Sequence, residues 1–146
     1  MARTSLGRLE VLVTDVARDA GLTCADTTRD RGLRITLRLD PGGSPDVRSA
    51  RLWASGGGVF LLDTSDGYGT ADFPNTDAEV LETVQQLVAV TRELLLHHGE
   101  EGEEVRSRGR RRRYVDVVVD GETHRLWGPE LRDPSRPRRR WSGLRR

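Results

Sequence analysis

Thr76-Asp77-Ala78-Glu79-Val80-Leu81-Glu82-Thr83-Val84-Gln85-Gln86-Leu87-Val88-Ala89-Val90-Thr91-Arg92-Glu93-Leu94-Leu95-Leu96-His97-His98-Gly99 is the one long amphipathic segment of the chain. Thr76 has the chemistry of an N-cap, and Glu79 three residues later completes a capping box. Asp77 and Glu79 place negative charge where the helix dipole favours it. Leu81, Val84, Val88, Thr91 and Leu95 recur at helical spacing, with Val80, Leu87 and Leu94 widening the stripe. Gly99 follows as the expected left-handed C-cap. So wide an apolar stripe needs a sheet or several helices to cover it, and the flanking segments read as strands.

Before it, residues 5–20 form a first helical pattern on Leu6, Leu9, Val13, Val16 and Ala20, ended by Gly21. Residues 22–32 are polar and turn-like. Leu33, Ile35, Leu37 and Leu39 then alternate with Arg34, Thr36, Arg38 and Asp40, the period of a half-buried strand. Pro41 to Pro45 break it. Arg48–Ala54, Val59–Thr64 and Tyr68–Phe73 follow as short strands joined by Ser55-Gly56-Gly57-Gly58 and Ser65-Asp66-Gly67. Within the last of these, Tyr68, Thr70 and Asp72 share one face.

After Gly99 an acidic run, Glu100–Glu104, meets a basic run, Arg106–Arg113, without periodicity, and predicts an exposed loop. Tyr114–Val119 is strongly β-like, Asp120-Gly121 is a two-residue hairpin turn, and Glu122–Trp127 returns. That turn sets Val119 against Glu122, Val117 against His124, Val115 against Leu126, Tyr114 against Trp127 and Asp116 against Arg125. From Gly128 onward, three prolines and seven arginines predict a disordered tail. The expectation is α+β: one domain over 1–127 with an antiparallel sheet, a four-stranded meander plus a C-terminal hairpin, carrying two helices packed on one face, and a tail over 128–146.

Charge is divided along the chain. Residues 1–105 hold 10 Arg against 18 acids, whereas 106–146 hold 14 Arg against 5, and no basic residue is lysine. A GC-rich genome produces such an arginine bias through codon usage, so its number alone carries little. Cys24 is the single cysteine, which leaves no disulfide framework or multi-cysteine zinc site within one chain. Without a signal-peptide pattern or an apolar run of about 20 residues, a cytoplasmic setting away from the membrane is expected.

Motifs for chemistry are sparse. His97 and His98 diverge by roughly 100° on a helix and suit the dipole better than a shared metal. Gly56-Gly57-Gly58 opens onto a strand, whereas a phosphate cradle opens onto a helix. Cys24 has no partner placed beside it, and Asp63, Asp66 and Asp72 read as turn and hairpin-end residues. No enzyme, cofactor or metal is expected. Arg110, Arg111, Arg112, Arg113, Arg138, Arg139 and Arg140 could neutralise phosphates, and Trp141 and Tyr114 could stack on bases, the alternative nucleic-acid reading with Arg106–Arg113 and Arg136–Arg146 as arms. Arg51, Trp53 and Tyr68 are the residues expected to anchor a protein contact, aromatic and arginine side chains being favoured there.

From Arg51-Leu52-Trp53 through the Phe73-Pro74 junction to Thr76-Asp77-Ala78-Glu79, the arrangement resembles small immunity proteins of bacterial polymorphic-toxin systems. In element order alone it is similar to secretion-chaperone-like domains. Both resemblances imply a binding module that works by occluding another protein. An acidic body suits a cationic partner such as a toxin or a secreted effector.

Overall fold

The computed structural model describes residues 4–39 and 48–131. Helix α1 spans Leu6–Asp19, with the Ser5 hydroxyl accepting the Arg8 N–H at 3.3 Å. Five strands follow: β1 Thr23–Arg29, β2 Leu33–Arg38, β3 Ala50–Ala54, β4 Phe60–Thr64 and β5 Gly69–Asp72. Helix α2 covers Asp77–His97, and β6 Glu100–Val105, β7 Arg111–Val119 and β8 Glu122–Leu131 complete the described residues. The strands form one eight-stranded antiparallel sheet in the order β1-β2-β3-β4-β5-β8-β7-β6.

This is the expected α+β class with two strands more than anticipated. Residues 22–32 supply β1, not a turn; a bulge between Ala25 and Thr28, with Asp26 at φ 51°, lets a polar edge segment follow β2. The charged stretch after Gly99 supplies β6 and the start of β7 in place of a loop. Its two runs lie side by side, Glu103 opposite Arg113 and Glu104 opposite Arg112. Opposite charges across an edge pair stabilise it without any apolar alternation. The meander therefore has five strands and the C-terminal unit three. β8 also runs on to Leu131, so residues 128–131 belong to the sheet, while 132–146 lie outside the described residues.

Inward-facing strand residues and helix stripes meet in a single core. Leu33, Ile35, Leu37, Leu52, Phe60, Leu62, Val115, Val117 and Leu126 are buried with Leu9, Val13 and Ala17 of α1 and Val84, Leu87, Val88 and Leu94 of α2. α1 packs on β1, β2 and α2, and α2 packs on β7. Arg29 of β1 pairs with Glu10 of α1, tying the edge strand to the helix.

The capping box forms: the Thr76 hydroxyl accepts the Glu79 N–H at 3.2 Å, and the Glu79 carboxylate reaches back to the Asn75 N–H at 2.6 Å. Two details of α2 differ from the sequence expectation. Leu81 is exposed, and Thr83 and Val90 join the buried face. The left-handed C-cap is His98, at φ 64°, whose N–H reaches the Leu94 carbonyl; Gly99 is the next residue and turns the chain into β6.

Among the described residues, no helix is long and apolar enough to cross a membrane.

Candidate interaction face

A strand that buries alternate residues presents the others to the opposite side. Because β2 buries Leu33, Ile35 and Leu37, it presents Arg34, Thr36 and Arg38; β3 correspondingly presents Arg51 and Trp53. Register carries this outward set across the sheet. Arg34 lies opposite Trp53, Trp53 opposite Leu61, Arg51 opposite Asp63, and Leu61 opposite Ala71. The two halves of the sheet then join through the pair Gly69 and Trp127, and Trp127 faces Tyr114. An uninterrupted stripe of Trp53, Leu61, Ala71, Gly69, Trp127 and Tyr114 thus crosses the face that does not carry the core.

Two arginine–aromatic clusters stand on this stripe. In the first, Arg34, Arg51, Trp53, Leu61 and Asp63 line a shallow concavity of about 240 Å³. The Trp53 indole lies over Gly32, where an added Cβ would come within 2.7 Å of the ring. Only glycine leaves the indole this seat on the neighbouring backbone. Among the described residues, neither Arg34 nor Arg51 has an ion-pair partner, Asp63 included.

In the second cluster, the guanidinium carbons of Arg106, Arg112 and Arg125 lie 5.2, 5.1 and 5.6 Å from the Trp127 ring centre. Tyr114 meets Trp127 edge-on at 6.0 Å, and Arg125 lies 3.6 Å over the Tyr114 ring. Tyr114 itself rests over Gly102 of β6. Arg125 is also held in a two-pronged pair by Asp116, at 2.8 and 2.9 Å. Those hydrogen bonds, with the guanidinium charge, hold the Asp116 carboxyl below its ordinary range against some desolvation.

A depressed pKa means that this stabilisation is complete above the unfolded value near about 3.9 and is lost as pH falls through the folded one. Asp116→Asn is therefore expected to flatten the acid limb of the stability profile. Denaturant melts from about pH 5 to about pH 2 should show variant and wild type converging. A constant difference across that range would mean that the pair does not titrate with folding.

Of the expected contact residues, Arg51 and Trp53 come together and Tyr68 does not. Tyr68 is 6% exposed and turns to the core side. There it packs against Gly128, and its hydroxyl donates to Glu101 at 3.3 Å. Burial, reinforced by the Glu101 charge, pushes the phenol pKa up.

The run Arg110–Arg113 does not act as one patch. Arg110 approaches Glu130 at 3.7 Å, and Arg111 and Arg113 approach Glu103 at 3.7 and 4.0 Å. Arg112 alone turns to Trp127, donating its Nε–H to the Gly128 carbonyl. Arg138, Arg139, Arg140 and Trp141 lie outside the described residues. Arg34 and Leu61 belong to the face without being named as contact residues from sequence; Arg106 is named there only in the basic run, and Arg125 and Trp127 only as hairpin partners of Asp116 and Tyr114. The register of the whole sheet joins them to Trp53.

Several other polar groups have local partners. His97 lies 3.8 Å from Glu93 one turn back, and His124 shares a hydrogen bond with Gln86 at 3.1 Å. Asp66 pairs with Arg48 at 2.7 Å, and Asp72 accepts from Phe73 N–H and the Thr83 hydroxyl. The Cys24 thiol is pushed up by burial, with Thr14 and Arg18 opposing. Gly56-Gly57-Gly58 forms the β3–β4 hairpin turn. Among the described residues, no three His, Cys, Asp or Glu side chains are grouped to hold a metal ion.

Charge is sorted by face as well as along the chain. α1 and α2 carry seven acidic residues against three arginines. The open face instead carries Arg34, Arg38, Arg51, Arg106, Arg112 and Arg125, with Asp63, Glu100, Glu104 and Asp116 among them. No protein-family model, curated protein or solved structure matches this chain.

Proposed function

We propose that this chain is a small cytoplasmic protein-binding module, immunity-like or chaperone-like, that occludes part of a partner with the open face of its sheet. The observation that supports it most is the concavity at Arg34, Arg51, Trp53 and Leu61, continuous with the stripe that leads to Trp127. Half-buried aromatic side chains beside exposed arginines on a sheet face have the composition of interface hot spots. The seating of Trp53 on Gly32 adds preorganisation, which lowers the ordering cost of binding.

The alternative is phosphate-backbone binding through the arginine-rich C-terminal third. Arg106 and Arg112 beside Trp127 favour it, but Arg110, Arg111 and Arg113 have carboxylate neighbours that a phosphate would have to displace.

Affinity capture from native cells tests the choice. The full chain should enrich a protein partner, nuclease treatment should leave that capture intact, and Trp53→Ala should weaken it by about tenfold or more. Arg92→Ala, on the exposed side of α2, serves as the control. Capture that survives Trp53→Ala unchanged, or that vanishes with nuclease, overturns the proposal.

A further inference from the structure

We infer that the open face receives an acidic, partly apolar polypeptide segment laid across the strands, with carboxylates seated at Arg34 and Arg51 and again at Arg106 and Arg112. This rests on the protein-binding reading and adds the chemistry of the partner. The acidic character of the N-terminal two-thirds suggests a cationic partner, but the acids of the helices sit on other elements than the face with the anchoring side chains. A cationic partner at Arg51 and Trp53 would meet charge of its own sign.

Arg34 stands opposite Trp53 and Thr36 opposite Arg51, so the two arginines are diagonal neighbours on adjacent strands. Two guanidiniums at that spacing repel each other, and a carboxylate between them relieves the repulsion with fork-shaped hydrogen bonds. The concavity they line also has Trp53 and the exposed Leu61, which suit an apolar side chain next to the acid.

At the far end, Arg125 is committed to Asp116, while Arg106 and Arg112 lie against the Trp127 ring. A guanidinium stacked on an indole keeps its in-plane N–H groups directed outward for an anion. Arg106 also approaches Glu104 at 3.6 Å, and Arg112 uses its Nε–H on the Gly128 carbonyl, which leaves its terminal nitrogens.

Trp53 on β3 and Trp127 on β8 are three strand steps apart in the sheet, about 15 Å at the usual strand spacing. An extended segment covers that in roughly four to five residues. Leu61, Ala71 and Gly69 make the floor between, too apolar to reward a continuous phosphate chain and suited to short aliphatic side chains. Asp63 lies in the first cluster and Glu104 and Asp116 in the second, so the places left for an incoming carboxylate are Arg34 and Arg51, which have no ion-pair partner among the described residues, and the outward N–H groups of Arg106 and Arg112. The guanidiniums over Trp127 occupy space that a stacking base would need.

The test is fluorescence anisotropy on the full chain with labelled peptides of about 12 residues, in salt of about 0.15 M. One peptide carries two Glu-Glu pairs separated by a short Leu-Ala spacer, one carries the same residues with the glutamates contiguous, and one replaces Glu by Lys. A single-stranded DNA of similar length is the fourth probe. The spaced acidic peptide should bind best, and Arg34→Glu/Arg51→Glu and Arg106→Glu/Arg112→Glu should each weaken it by about tenfold. Arg92→Glu should leave it within about twofold, and melts should show that the exposed substitutions preserve the fold.

Equal binding of the lysine peptide, preference for DNA, or acidic-peptide binding indifferent to the face variants would each overturn the inference. The last result would place the peptide elsewhere on the chain. A cellular partner that depends on Trp53 but not on Arg34 and Arg51 would also sink the acidic-segment inference while leaving the protein-binding reading standing. A partner indifferent to Trp53 sinks both.

Discussion

Replacing Gly99 by alanine should lower the thermal midpoint by roughly 10 °C, a loss of about 3 kcal/mol or more. Gly99 sits at φ 61°, where an L side chain is strained by about 1–2 kcal/mol. Position adds the rest. A Cβ there would lie 2.8 Å from the Asp116 carbonyl oxygen and 2.7 Å from a Val115 methyl. The carbonyl is backbone and cannot rotate away. Glu100 pairs with Asp116 in the next step of the β6–β7 ladder, so any shift that relieves the clash also disturbs the start of β6.

Gly21 makes the comparison clean. It has φ 79° but nothing within 4 Å of its missing Cβ, so Gly21→Ala should cost only the backbone strain. Parallel thermal and denaturant melts of the two variants measure the difference. Equal losses would show that close approach at Gly99 contributes nothing.

Phe60→Ala should cost about 3–5 kcal/mol, while Phe73→Ala should stay within about 0.5 kcal/mol. Phe60 is 1% exposed and is the largest fully buried side chain among the described residues. It stands in β4 between Ala54 and Asp72, and its removal leaves a cavity that neighbouring small residues cannot fill. Phe73, thirteen positions on, is 61% exposed beside the start of α2. Denaturant melts read both variants. A Phe73→Ala loss comparable to that of Phe60→Ala would mean that the junction before α2 contributes to the core, which its exposure denies.

The C-terminal hairpin shows how far local reading reaches. Asp120 and Gly121 both adopt positive φ, at 50° and 79°, and a two-residue turn leaves one register for the strands it joins. Every pair counted outward from it is present, including Asp116 with Arg125. The first helix and β2 were legible for a similar reason, since period 3.6 or 2 over several apolar residues needs no distant information.

Edge strands were not legible. β1 and β6 are mostly polar, and each is held by one neighbouring strand along its pairing edge. Their stability comes from backbone pairing and opposite charges, neither of which leaves an apolar pattern to read. Tyr68 is a different case. Its alternation with Thr70 and Asp72 is plain in the sequence, but alternation within a strand does not say which face is buried. That is decided by pairing: Asp72 lies across from Phe60 and Thr70 across from Leu62, which puts the Tyr68 set on the core side and away from Trp53.

By itself, then, the amino-acid sequence determined the α+β class, the capped central helix, the terminal hairpin with its register, and the pairing of Arg51 with Trp53 on one strand face. Each follows from interactions between residues close along the chain. Tertiary structure alone decided that Arg34 and Leu61 join Trp53, that Trp127 gathers Arg106, Arg112 and Arg125, and that Gly69 links the two clusters through β8. Those neighbours come from strands brought together by burial of the opposite face. The core favours one register because a one-residue slip would send its apolar side chains into water, and that register is what places the outward residues together.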